Sequence, residues 1–383
     1  MDGHSQREIQ NKINSAFGQL FHGNPANQAV CYYAGSNSNG PLAYVYDTGD
    51  RDVRSEGMSY GMMIAVQLDK KAEFDAIWNW AMTYMYHNST NSPVYGYFSW
   101  SVRTNGMPND EMPAPDGEQY FAMSLYFAAG RWGNGPGIYN YRAEADHLLN
   151  DMKNRALITG ATVAGIKTVG ALFDPHYKMV RFTPDTKNWN HTDPSYQLPA
   201  FYELWARWGP TKDRTFWSQA ASASREFFQR AANPTTGLTP DYANFDGTPW
   251  AAPWKTNSAN FGYDSWRTAM NWSVDWAWWN KDVRERRLSD RLQTFFESKG
   301  MTNYSDRFTL NGKPMDADHS AGLVAMNAVA SLAATNSPMA GQFVEALWDT
   351  PVPTGRWRYY NGMLYLLGML YCSGEFRIWP PPL

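Results

Sequence analysis

Ser55-Glu-Gly-Met-Ser-Tyr-Gly-Met-Met-Ile-Ala-Val-Gln-Leu68, then Asp69-Lys-Lys71, then Ala72-Glu-Phe-Asp-Ala-Ile-Trp-Asn-Trp-Ala-Met-Thr-Tyr-Met-Tyr86, sets two unlike helix patterns side by side. Residues 57–68 are apolar nearly all round, the pattern of a helix buried on every side. Residues 72–86 are apolar on one side only. The same two patterns recur along the chain. The all-round kind returns at 117–129, 196–205, 265–279, 321–334 and 361–372. The one-sided kind returns where Ala145, Leu148, Leu149 and Met152 sit at i, i+3, i+4, i+7. It returns again where Leu288, Leu292, Phe295 and Phe296 sit among Arg284, Glu285, Arg286, Asp290 and Arg291, and also at 6–17, 216–231 and 338–348. Six buried and six amphipathic helices in rough alternation predict an all-α fold, an (α/α)6 barrel with six inner and six outer helices. Residues 42–46 and 95–101 read as short strands within loops. Repeated βαβ units are missing, which excludes a Rossmann or TIM architecture. No linker or composition break interrupts residues 1–383, so a single domain is expected.

Composition narrows the function. The net charge of -3 and the lack of any Lys/Arg tract argue against a nucleic-acid partner. No apolar run approaches the ~18 residues of a membrane span. The first eight residues hold no apolar stretch of a signal peptide. A cytoplasmic monomer is the expectation, with a secreted protein whose signal has been removed as the alternative. Cys31 and Cys372 form no metal-ligand spacing, and the seven histidines form no HExxH, so neither a metal nor a cofactor is expected. The 18 Trp, 23 Tyr and 19 Phe are many. A large helical core absorbs a share of them. Pyranose rings also stack on such side chains, and Tyr and Trp donors bond sugar hydroxyls.

Polar residues precede every buried helix: Ser55-Glu56, Asp116-Gly-Glu-Gln119, Asp193-Pro-Ser-Tyr196, Asp264-Ser-Trp-Arg267, Asp318-His319-Ser320 and Arg358-Tyr-Tyr-Asn361. Inner helices of stacked hairpins run parallel, so these segments are expected to meet at one end and line one cleft. Several also read as helix caps. Asp116 with Gln119 matches a capping box, and Asp193 before Pro194 a good N-cap. Glu56 fits capping poorly, and Ser55 supplies that role. Two carboxylates of opposed proton affinity in a wet cleft suit glycoside hydrolysis, one donating to the leaving oxygen and one drawing a proton from water. Two other readings compete. A non-catalytic sugar-binding module would need the aromatics but not the carboxylate pair. Gly57-Met-Ser59-Tyr-Gly61 matches the G-x-S-x-G of serine hydrolases, but the charged stretch before it reads as no buried strand.

Five of these segments together resemble glycoside hydrolase family 8: Arg51-Asp-Val-Arg-Ser-Glu-Gly-Met-Ser-Tyr-Gly-Met-Met63, Ala114-Pro-Asp-Gly-Glu-Gln-Tyr-Phe121, Asp193-Pro-Ser-Tyr196, Asp264-Ser-Trp-Arg267 and Arg358-Tyr-Tyr-Asn-Gly362. The resemblance runs from about residue 10 to 380 in family order. It implies an inverting enzyme of the xylan-acting branch, with Glu56 as general acid and Asp264 as general base. It implies that Asp116 holds the sugar at the cleavage point and that Tyr196 and Arg267 orient the base and its water. Trp100 would stack on a sugar, with Tyr360 further along the cleft. His319, eight residues before Asn327, matches the exo-acting members, which release xylose from the reducing end of xylooligosaccharides. Their loop reads Leu-His-Pro where this chain has Asp318-His319-Ser320. Endo-xylanase of the same family is the alternative.

Overall fold

The computed structural model describes residues 1 and 3–382. Among them run α1 (Gln6–His22), α2 (Ser55–Gln67), α3 (Lys71–Tyr84), α4 (Pro115–Trp132), α5 (Tyr141–Asn154), α6 (Pro199–Trp208), α7 (Arg214–Ala231), α8 (Trp266–Trp279), α9 (Arg284–Lys299), α10 (Ala321–Val329), α11 (Ser337–Asp349) and α12 (Arg358–Ser373). The even-numbered helices are the all-round apolar ones. In α2 every residue except Glu56 is buried, and in α10 every residue except Ala321. The odd-numbered helices bury one stripe, such as Leu288, Leu292, Phe295 and Phe296 of α9.

The even helices touch in succession. α2 packs on α4, α6 on α8, α8 on α10, α10 on α12, and α12 returns to α2. Between α4 and α6 the contact is made by Tyr120 edge-on to Phe201, 5.1 Å between ring centres, and by Tyr202 Oη donating to Gln119 Oε1. Each odd helix lies mainly on one even helix: α1 on α12, α3 on α2, α5 on α4, α7 on α6, α9 on α8 and α11 on α10, with α11 also touching α12. One continuous set of buried apolar side chains runs from Ile9 to Phe376.

The strands lie in the connections between helices, as the sequence suggests, but they are more organised. β1 (Cys31–Asn37), β2 (Gly40–Asp47), β3 (Asp52–Arg54), β4 (Ser101–Val102) and β5 (Pro108–Asp110) form one antiparallel sheet in that order. Two further pairs are β6 (Ile158–Thr162) with β7 (Gly165–Val169), and β8 (His191–Thr192) with β9 (Ala243–Asn244). Of the stretch 95–101 only Ser101 enters a strand. Gly96, at φ +81°, turns the chain where a strand would run straight.

Three local expectations are corrected. The stretch before Gly57 does contain a short strand, β3, with Asp52 and Val53 buried. Ser55 caps nothing. Arg54 is the N-cap of α2, and the Ser55 N–H donates to the Trp100 carbonyl. The Asp116–Gln119 capping box is absent because Pro115 takes the first helical position, which moves Asp116 inside the turn. Asp193 does cap, accepting from Ser195 N at 2.7 Å, over a 3-10 turn (Pro194–Tyr196) that precedes α6. The apolar patterns thus locate the helices, while Pro199 rather than residue 196 opens α6. Cys31 and Cys372 are free thiols.

Candidate active site

The first turns of α2, α4, α8 and α12 and the segment before α6 meet at one guanidinium. Arg267, in the first turn of α8, is 1% exposed. Its Nη1 donates to Glu56 Oε2 (2.9 Å), Asp116 Oδ2 (2.8 Å) and Tyr60 Oη (2.9 Å). Its Nη2 donates to Asp264 Oδ1 (3.2 Å) and Ser195 Oγ (3.0 Å). A planar fork with donors in fixed directions can hold three carboxylates at set separations, which a lysine cannot. The start of α10 joins the same end of the molecule. The Gly322 N–H donates to Asn361 Oδ1 of α12, and a Cβ on Gly322 would press on Trp266 of α8.

Glu56 is the one residue of α2 left partly open, its side chain 16% exposed. Tyr359 Oη donates to its Oε1 at 2.9 Å. Burial pushes its carboxyl up to about 7; Arg267 opposes this, and the negative charges of Asp116 and Asp264 add to it. Asp264 meets the opposite balance. Burial raises it too, but Lys255 and Arg267 outweigh burial and hold it below the usual aspartate range. Lys255 Nζ donates to Asp264 Oδ2 at 2.7 Å and lies 3.1 Å from Asp241 Oδ2. The site therefore holds one carboxyl that keeps its proton near neutrality and one that has lost it.

Asp116 is buried beside them, one oxygen on Arg267 and the other accepting from Gly117 N. Tyr196 lies flat against Phe182 with the Arg267 guanidinium 5.8 Å from its ring. Trp100 is half-buried with Arg54 beside its ring at 5.5 Å, and its backbone carbonyl meets the start of α2. Tyr360 stacks on Trp266 and donates to the Tyr263 carbonyl. His319 is apart from the carboxylate cluster. It is exposed, its Nδ1 pairs with the Tyr304 carbonyl at 2.9 Å, and its ring stands edge-on to Tyr304. Its loop is nonetheless tied to the segment that carries Asp264. Asp306 accepts from Ser320, and the Asp306 carbonyl accepts from Trp266 Nε1.

Tyr359, Tyr60, Ser195 and Lys255 enter the site without having been singled out in the sequence. The first three lie inside the quoted segments, where helical spacing could have paired Tyr60 with Glu56 across one turn. Lys255 lies in an irregular loop, and nothing in the sequence distinguishes it. The serine-hydrolase reading fails here. Ser59 is buried inside α2 with its hydroxyl donating to the Glu56 carbonyl, so it faces neither a base nor the cleft.

Known proteins are similar to the chain over almost its whole length. The family model for glycosyl hydrolases family 8 matches residues 35–374. A reducing-end xylose-releasing exo-oligoxylanase of Paenibacillus barcinonensis is 42% identical over 98% of this chain and 94% of its own length. An enzyme of the same description from Halalkalibacterium halodurans is 41% identical over 99% and 93%. The crystal structure of a family 8 xylanase of Teredinibacter turnerae, a catalytic mutant in complex with xylohexaose, superposes with a TM-score of 0.97 at 56% identity, covering 99% of this chain and 96% of that one. The chain belongs to glycosyl hydrolase family 8.

Proposed function

We propose that the chain is an inverting glycoside hydrolase that releases xylose from the reducing end of β-1,4-xylooligosaccharides. The succession of even helices, each carrying an odd one, is read as a closed (α/α)6 barrel forming one catalytic domain and acting as a monomer. Glu56 gives its proton to the glycosidic oxygen, and Asp264 takes one from the water that attacks the anomeric carbon from the other face. Asp116 holds the sugar at the cleavage point, Tyr196 and Arg267 orient the base and its water, and Trp100 and Tyr360 line the cleft.

The observation that carries this reading is the division of charge about Arg267, with a proton-retaining Glu56 on Nη1 and an ionised Asp264 on Nη2. One guanidinium spanning the pair sets a ceiling of roughly 8 Å on their nearest oxygens, which leaves room for the separation of about 6.5–9.5 Å that inversion needs. Release from the reducing end is supported by the curated relatives, which carry that description over 93–94% of their length.

An endo-xylanase is the second reading. It is favoured by the 56% identity to a xylanase crystallised with xylohexaose and by the exposed Asp318 and His319. Xylotriose and its reduced alditol separate the two. Reducing-end release gives xylose and xylobiose from xylotriose, with the new reducing end appearing first as the α-anomer by NMR, and stops when that end is an alditol. Cleavage of longer alditols at internal bonds would establish the endo reading. A β-anomer appearing first would overturn inversion. Glu56→Ala and Asp264→Ala should each abolish turnover.

A further inference from the structure

Asp264 must be ionised to act as a base, yet nearly everything around it resists ionisation. It faces the carboxylates of Glu56 from α2, Asp116 from α4, Asp193 from the segment before α6, and Asp241 from the α7–α8 connection. The phenols of Tyr196, Tyr242 and Tyr360 face it as well. The cations in reach are Arg267, Arg54 and Lys255. Arg267 divides its donors among three carboxylates and two hydroxyls. Arg54 is bound to Asp47, Asp50 and Asp52. Lys255 is the cation with the fewest competing carboxylates, 2.7 Å from Asp264 and shared only with Asp241.

Lys255 is also held in place by built contacts. Its ammonium lies 4.8 Å from the centre of the Tyr242 ring and 3.1 Å from Asp241 Oδ2. Asp241 is 3% exposed, and its Oδ1 accepts from the N–H of Ser265, the residue next to Asp264. The loop behind Lys255 is fixed by the buried Ser258, whose hydroxyl donates to the Trp250 carbonyl and accepts from Ala252 N. An ammonium has three donors; two carboxylates take two of them and fix its direction.

We infer that Lys255, anchored on Asp241, is the positioning residue of the base, holding Asp264 ionised and aimed into the cleft and so setting the acid side of the working pH range. The inference rests on Asp264 being the base.

The test is the pH profile of kcat/KM on xylotriose for Lys255→Met and Lys255→Arg, whose limbs report the essential groups of the free enzyme. Losing an opposite charge at this distance shifts a carboxylate by about 1–3 pH units. In Lys255→Met the acid limb should move up by that amount, the alkaline limb should stay, and activity should recover above the displaced limb. Lys255→Arg should keep the limb within about half a unit of its original place. Should Lys255→Met not fold, Lys255→Gln, which keeps a donor without the charge, should show the same displacement. An activity loss equal at all pH values, with the acid limb unmoved, overturns the inference and leaves Asp264 as base. Full turnover by Asp264→Asn would instead remove the base reading on which it depends.

Discussion

Asp116→Asn isolates the electrostatics of the proton donor. Glu56 and Asp116 accept from the same nitrogen of Arg267, at 2.9 and 2.8 Å. Their nearest oxygens are therefore about 5 Å apart, where two unit charges at an effective dielectric of about 20 repel by roughly 3 kcal/mol, or about two pH units. Arg267 stands between them and the Glu56 side chain is 16% exposed, so about one unit is the share expected to survive. Removing the charge of Asp116 makes ionised Glu56 easier to form. Its pKa falls from about 7 toward 6, and the alkaline limb of kcat/KM moves down by the same amount. The assay is initial xylose release from xylotriose between pH 4 and pH 9, with the limb fitted separately from the plateau. Asp116 is also proposed to hold the sugar, so the plateau should fall, but a lost sugar contact lowers all points together and moves no limb. An alkaline limb that stays put or rises would refute this account of how Glu56 keeps its proton.

Two other perturbations act on the frame. Glu118 is fully buried with Oε1 on the Phe98 N–H and Oε2 unpartnered, and burial pushes it up to about 8. A raised folded-state pKa means stability is lost as pH climbs from about 4.5 to about 8. Glu118→Gln should therefore gain about 2–4 kcal/mol at pH 8 and nothing at pH 4 in urea unfolding; equal pH dependence in both proteins would rule this out. Gly57→Ala would place a Cβ 2.3 Å from Tyr359 Cε2 and 2.6 Å from its Oη. Overpacking should cost about 1–3 kcal/mol in thermal unfolding. Loss of the Tyr359–Glu56 bond should lower kcat/KM roughly tenfold, and wild-type activity would show that this bond is dispensable.

The helices were legible because burial writes itself into periodicity. An all-round apolar run such as 57–68 can only lie inside, and its one-sided neighbour can only lie against it. The convergence of helix starts followed from that order, and it brings Glu56, Asp116, Arg267 and Tyr359 into contact. Caps were less legible. Ser55, Asp116 and Gln119 have capping identities, but Pro115 and the Trp100 carbonyl had already decided those turns. The G-x-S-x-G stretch serves packing rather than a nucleophile. Gly57 admits Tyr359, and Gly61 admits Val45 and Ile77. His319 belongs to a loop whose course no periodicity fixes, and its tie to Trp266 runs through Asp306, fourteen residues from Ser320. Lys255 was invisible for the same reason, since its partners are set by a loop fold.

The division of labour between the two carboxylates follows from how cations are allotted. Both are drawn out of water and both feel negative neighbours, so desolvation by itself raises each of them. Helix position does not separate them either, because both lie at the starts of buried helices. Arg267 touches both, yet it shares one nitrogen between Glu56, Asp116 and Tyr60 while its other nitrogen serves Asp264 and Ser195. Glu56 thus receives a fraction of one charge, and its other oxygen accepts from a neutral phenol. Asp264 receives its own fraction and, on its second oxygen, a second cation, Lys255, which it shares with Asp241. The proposed acid is the carboxyl whose second partner is neutral, and the proposed base is the one whose second partner is charged.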